Sequence, residues 1–310
     1  MLARVSVIAF NTYREAVRAR ILHGLFGVAL ATAGYALVVG AYASRSRMRV
    51  VSDFGAASIS LYAVIVAVVL GATSLYRELE LKTIFPILAR PIRRSEYLVG
   101  KLLGTVLTLA VFVAANSGAL LLALALLAGR SPWLVGGVAL AECAVLGALA
   151  FRLPRFRSYL PVALAFVLLL TGFLLASAAP DDRRVIAGSA VLTICEVMVI
   201  AAIATLFSSF SSPFLTAVFT LSVFVVGRSA DTLAKLPKRV FGAFLHETGV
   251  WLAKLVPNLM VYVPPRPLLT GEAVGAELGP YLGLAFGQAL AWAVLLLALA
   301  SRIFKKRDFL

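Results

Sequence analysis

Long apolar runs separated by short charged turns dominate this 310-residue chain. A membrane-spanning helix needs about 20 mostly apolar residues. On that rule the runs predict eight spans, at 21–43, 55–76, 100–128, 133–151, 159–179, 185–207, 213–230 and 279–303. The expected fold is all-α: a polytopic bundle of membrane helices forming one transmembrane domain over 1–310. A segment of interleaved arginines and apolar residues, 1–20, leads into it. This lead reads either as an amphipathic helix lying on the inner face or as a basic flank that sets topology. A long connection, 229–278, contains the apolar, aromatic stretch 241-FGAFLHETGVWLAKLVPNLMVYV-263, which suits a helix resting on the outer face.

One interruption stands apart. The stretch 76-YRELELKTIFPILARPIRRSEYLVGK-101 holds nine charged side chains and two prolines between two apolar runs. Glu78 and Glu80 follow the second span. Lys82 to Ala89 is long enough for about two helical turns, with Ile84, Ile87 and Leu88 on one face. Pro91 stops that helix, because the residue before a proline is pushed out of the α region. Ser95 is then expected to cap the third span, with Glu96 in its first turn favourable to the helix dipole. A short amphipathic helix with a polar rim suits a groove on a soluble partner.

Composition agrees with the bilayer as solvent. The chain is 62% hydrophobic and 14% charged, with mean hydropathy +0.99, where a soluble domain has about 25% charged residues. The net charge of +15 does not point to nucleic acid. Its cations sit at the ends of apolar runs rather than in a basic, polar domain. With both termini cytoplasmic, the inside segments hold seventeen lysines and arginines and the short outside loops six, which favours that orientation and puts 77–99 in the cytoplasm. The first residues do not read as a cleavable signal, because Arg14, Glu15, Arg18 and Arg20 follow a short apolar run without a small-residue cleavage site. Cys143 and Cys195 lie in separate apolar runs and read as reduced core residues.

The chain contains a possible duplication. Segments 142–166 and 196–220 align at an offset of 54, matching Glu142 with Glu196, Phe156 with Phe210 and Ser158 with Ser212. Both glutamates fall inside spans, where a charge costs about 2.5–3.5 kcal/mol and faces a protein interior or a wet cavity. They read either as elements of a translocation path or as protonated side chains bonded to a neighbouring helix. Asn116, in the third span, is the other polar candidate for that path, and it also fits as packing glue between helices. Gly100/Gly104 and Gly283/Gly287 have the spacing for close helix approach. His23 and His246 are far apart, so no metal site is expected. Gly100-Lys101 is not a phosphate loop, since the full glycine pattern is missing. No catalytic cluster is visible, and no cofactor is expected on this chain.

The order E-x-E-x-K-T-I, then R-P-I-R-R, then E-Y-L-x-G-K within 78–101 resembles the segment that type-2 ABC transporter permeases place between their second and third spans. The stretches 206-LFSSFSSP-213, 256-VPN-258 and 305-KKRDF-309 fit the same pattern. The resemblance implies a permease subunit of the bacterial inner membrane, an exporter. It would be paired with a second permease copy and with two ATP-binding cassette subunits that hold ATP and Mg. It implies a coupling helix around Lys82–Ala89, including Thr83, that seats in the ATPase. Glu78 and Glu80 would then form a charged inner gate, and Arg90, Arg93 and Arg94 would brace the docking site. Family members typically have six spans, so the excess here would be a hairpin inserted near 133–179. The residues themselves leave open a stand-alone secondary transporter or channel, and an energy-coupled anchor for extracytoplasmic machinery. A membrane-embedded enzyme would need clustered Asp, His or Cys near one interface.

Overall fold

The computed structural model describes residues 2–43, 46–80, 93–153, 157–235, 237–272 and 277–306. No strand occurs among the described residues. In chain order the helices are α1 (Leu2–Arg18), α2 (Arg20–Tyr42), α3 (Arg47–Glu80), α4 (Arg94–Leu127), α5 (Pro132–Arg152), α6 (Leu160–Leu175), α7 (Pro180–Ser208) and α8 (Pro213–Arg228). They continue with α9 (Ala230–Ala234), α10 (Lys238–Leu255), α11 (Arg266–Thr270) and α12 (Leu278–Lys306). Two 3-10 turns, Ala176–Ala178 and Leu259–Tyr262, link them. Seven of these helices are long and apolar enough to cross a membrane, so the chain is a multi-pass membrane protein.

Close glycine contacts fix the helix directions. A Cβ at Gly40 would lie 2.6 Å from the Val51 side chain, which sets the end of α2 beside the start of α3. Ser52 donates to Asp182 at 2.7 Å, which joins the starts of α3 and α7. A Cβ at Gly71 would lie 2.3 Å from that of Ala204, so α3 and α7 run parallel. A Cβ at Gly188 would be 3.9 Å from Leu278, which brings the start of α12 to the start of α7. The beginning of α2 and the end of α12 therefore share one end of the bundle, called here the terminal end; the other is the far end. α4 and α7 are the most buried spans, and α5 is the least.

α3 and α4 have 34 residues each, about 51 Å of helix, against a hydrocarbon core of about 30 Å. Both overshoot the membrane, and the charged stretch joins them at the terminal end. Of the expected coupling residues, Lys82, Thr83, Ile84, Ile87, Leu88, Arg90 and Pro91 lie outside the described residues. Glu78 and Glu80 close α3, Arg93 caps α4, and Arg94 begins it. The helix thus starts before the expected cap at Ser95. Glu96, at the third helical position, reaches back to accept the Arg93 N–H at 3.4 Å and makes the earlier start favourable.

α1 is an ordered helix seated on the first turns of α4. The seat is made by the Gly100/Gly104 pair: a Cβ at Gly104 would lie 2.3 Å from the carbonyl oxygen of Ala9. A Cβ at Gly283 or Gly287 would meet nothing within 4 Å, so among the described residues the same spacing in α12 has no packing role.

The expected span at 213–230 forms as a helix, but a short one. α8 has 16 residues, about 24 Å, and stops at Arg228 beside Glu196. The chain covers the remaining distance to the far end with short pieces: α9, the kinked α10, the 3-10 turn and α11. α10 bends at Gly242, whose φ of 79° is open to glycine, and it exposes Phe244, Trp251 and Leu255.

Candidate functional site

The serines of 206–213 form the turn that launches α8. Ser208, Ser209 and Ser211 donate to the carbonyls of Thr205, Leu206 and Phe207 at 3.0, 2.6 and 2.7 Å. Pro213, with no N–H to satisfy, occupies the first turn of α8. α8 then climbs antiparallel to α7 and brings Arg228 against Glu196, which lies 16 residues, about 24 Å, along α7.

Arg228 donates from Nε to Glu196 Oε1 at 2.8 Å and from Nη2 to Oε2 at 2.9 Å. Ser60 of α3 completes the group, accepting from Arg228 at 3.1 Å and donating to Glu196 at 3.2 Å. Glu196 is fully buried, while a quarter of the Arg228 side chain is exposed. A charge taken out of water is tolerable only when paired and hydrogen-bonded, and both conditions hold. The guanidinium also lies 5.5 Å from the Phe224 ring.

Arg228 and Ser60 form part of the wall of a cleft of about 640 Å³ between α3, α7, α8 and the 260–269 segment. It occupies the space that a longer α8 would fill. Thr193 and Ser189 add hydroxyls, and Leu61, Val225 and Met260 add apolar wall. Tyr262 is buried, and its hydroxyl has no partner among the described residues. Burial, with smaller contributions from Cys195, Glu196 and Tyr281, pushes its phenol well above the usual range, so it stays neutral.

Arg266 clasps the far side of the cleft. It bonds Asp182 of α7 and Asp53 of α3, and reaches Ser52 at 3.2 Å. Arg184 adds a bond to the Thr270 carbonyl at 3.2 Å. Burial works against the Arg266 charge, but the two carboxylates more than offset it and raise its pKa. Asn258, in the V-P-N stretch, accepts from the Met260 N–H at 2.9 Å and donates to Asp231 at 2.8 Å, which ties α9 to the 3-10 turn.

The three polar residues expected for a path separate. Glu196 lies directly behind the cleft wall. Asn116 is buried in α4 and donates to Phe112 of its own helix at 2.8 Å, away from the cleft. Among the described residues it makes no hydrogen bond to another helix. Glu142 lies on the peripheral α5, its two carboxylate oxygens buried without a hydrogen-bond partner among the described residues. Both aligned segments hold the end of one helix and the start of the next, but among the described residues only the second glutamate meets an arginine. Cys195 is buried and Cys143 exposed, so only the first is a core residue. Among the described residues no three His, Cys, Asp or Glu side chains are grouped to hold a metal. Arg228, Ser60, Asp53, Asp182 and Arg266 escaped the sequence reading. The available signal was one arginine closing an apolar run 32 residues after a buried glutamate. No protein-family model matches the chain, and no curated protein sequence does either.

Proposed function

We propose that this chain is the permease subunit of an ATP-driven exporter of the type-2 ABC class, working in an inner membrane with both termini cytoplasmic. A second permease copy and two ATPase subunits, carrying ATP and Mg, complete the assembly. The observation behind this reading is the charged, proline-bracketed insert between two over-long helices at the end of the bundle where α2 begins and α12 ends. α3 links that insert to the cleft within one element. It ends at Glu80, passes Ser60, and carries Asp53 in its second turn. A push on the insert by a closing ATPase pair would tilt α3 against α7. Such a tilt shifts Ser60 relative to Glu196 and Asp53 relative to Asp182, so both ends of the cleft feel it. The peripheral, little-buried α5 is in keeping with a hairpin added to a smaller core.

A stand-alone transporter is the second reading, favoured by the buried Glu196–Arg228 pair, since intramembrane ionisable pairs mark ion and substrate pathways. Co-purification separates the two. The full chain in detergent is expected to bring down the ATP-binding subunit encoded nearest to its gene, and the Ile84→Asp/Ile87→Asp variant to lose it. No ATPase on the wild type, or equal recovery on both, moves the stand-alone transporter to the front.

A further inference from the structure

Away from the cleft, cations also gather beside α1. α1 meets the turn between α5 and α6 at the terminal end, where Phe10 stacks on Tyr159 with ring centroids 4.0 Å apart. Beside that stack lies a recess of about 240 Å³. Three arginines (Arg14, Arg18 and Arg157) line it with Tyr13 and Ser158, and Val17 and Pro161 supply its apolar part.

Every polar side chain of this recess can donate, and among the described residues no carboxylate lines it. Tyr13 is fully buried, yet its hydroxyl has no hydrogen-bond partner, and Nε of Arg14 is likewise buried without one among the described residues. Buried polar groups are nearly all satisfied in native proteins, so what the recess lacks is an acceptor. Burial pushes the Tyr13 phenol up to about 12, which keeps its O–H as a donor at neutral pH. The arginines are held in place for such a guest. Arg14 lies 4.7 Å from the Phe10 ring centroid, and Arg157 spends Nε on the Ala150 carbonyl at 2.9 Å, leaving its Nη groups for a ligand. Several donors lining one recess match the oxygens of a phosphate.

We propose that this recess binds the phosphate of an anionic phospholipid headgroup. The recess sits where the amphipathic α1 turns into the first span, the depth of a headgroup. Pro161 of its wall also opens α6, at the membrane face of that span. Basic pockets between spans at a membrane face take such headgroups. The site is independent of the transport reading and would pin α1 to the bundle through a lipid.

Native mass spectrometry of the full chain in detergent tests this. The probes are phosphatidylglycerol and phosphatidylcholine of identical acyl chains, with inorganic phosphate as competitor. The wild type is expected to hold the anionic lipid roughly tenfold more tightly than the zwitterionic one. Arg14→Gln/Arg18→Gln/Arg157→Gln should abolish the preference, while Arg302→Gln, which removes an exposed cation elsewhere, should keep it. Tyr13→Phe deletes one oxygen with no partner among the described residues, so its fold is expected to persist with a preference about threefold weaker. Equal retention of the two lipids by the wild type overturns the site. So does an Arg302→Gln loss as large as that of the triple variant. Should the triple variant fail to fold, an undiminished preference in Tyr13→Phe overturns it equally. Displacement of the lipid by millimolar inorganic phosphate would assign the recess to free phosphate and overturn the lipid.

Discussion

Arg228 and Glu196 meet in a two-pronged ion pair, at 2.8 and 2.9 Å, but only Arg228 has access to the cleft. The pair is therefore asymmetric. Removing Arg228 strands a carboxylate that cannot reach water, whereas removing the Glu196 charge leaves a guanidinium that can be solvated. Arg228→Gln is expected to destabilise by about 3–5 kcal/mol and Glu196→Gln by about 1–3 kcal/mol. The double variant should recover most of the larger loss. Thermal unfolding in detergent measures this, and equal losses in the two single variants would refute the asymmetry.

The Arg266 clasp should control access to the cleft. Losing a charge-assisted bond costs about 1.5–3 kcal/mol, so local opening should rise roughly tenfold or more. The assay uses Leu269→Cys, a buried position in the cleft wall, in a Cys143→Ser background. A water-soluble maleimide is expected to label it about tenfold faster once Arg266→Gln is added. Unchanged labelling would mean that the 259–270 segment is held by its packing alone.

Two glycine pairs of identical spacing should behave in opposite ways. Gly104→Val drives a side chain into the Ala9 backbone and is expected to cost about 1–3 kcal/mol. Gly283→Ala meets empty space and should be neutral or stabilising by up to about 1 kcal/mol through helix propensity. Melting temperatures compare them directly, and a loss at Gly283 like that at Gly104 would point to a partner on α12.

Alkaline titration addresses α1. The Tyr13 phenol is raised to about 12 by burial, above its unfolded value of about 10. Because the folded pKa is the higher one, the Tyr13 contribution is intact below about pH 10 and is lost as pH rises toward 12. The phenolate difference spectrum between wild type and Tyr13→Phe should emerge near pH 12, and Tyr13→Phe should resist alkali better. A difference band near pH 10 would show Tyr13 to be solvated.

The spans were legible because twenty-residue apolar runs have few alternatives to a membrane helix, and the glutamate at 196 stood out against such a background. What the runs could not reveal was what α8 stops against. The apolar run itself ends at Arg228, with Ser229 and Asp231 following it, but hydropathy does not say that Glu196 receives the arginine. The partner of a buried charge lies across a helix contact, and helix pairing is not written in periodicity. For the same reason Gly100/Gly104 and Gly283/Gly287 look alike as text, and only the arrival of α1 over the first pair tells them apart. Glu142 and Glu196 match in the aligned segments yet end on a peripheral helix and in the bundle centre, since a lone carboxylate does not specify its neighbours.

A helix that ends halfway leaves the bundle with unequal walls. On the α4 and α7 side the backbone is continuous and deeply packed, so its amides should exchange with solvent only when the whole fold opens. On the side completed by residues 229–270 the wall is a patchwork of short helices, a kinked one and a 3-10 turn joined by a few polar ties, and those amides should exchange through small, cheap fluctuations. Passage into the cleft then needs no dismantling of the frame. It needs only the thin side to breathe, and that side is fastened to α3, the helix that reaches the opposite face.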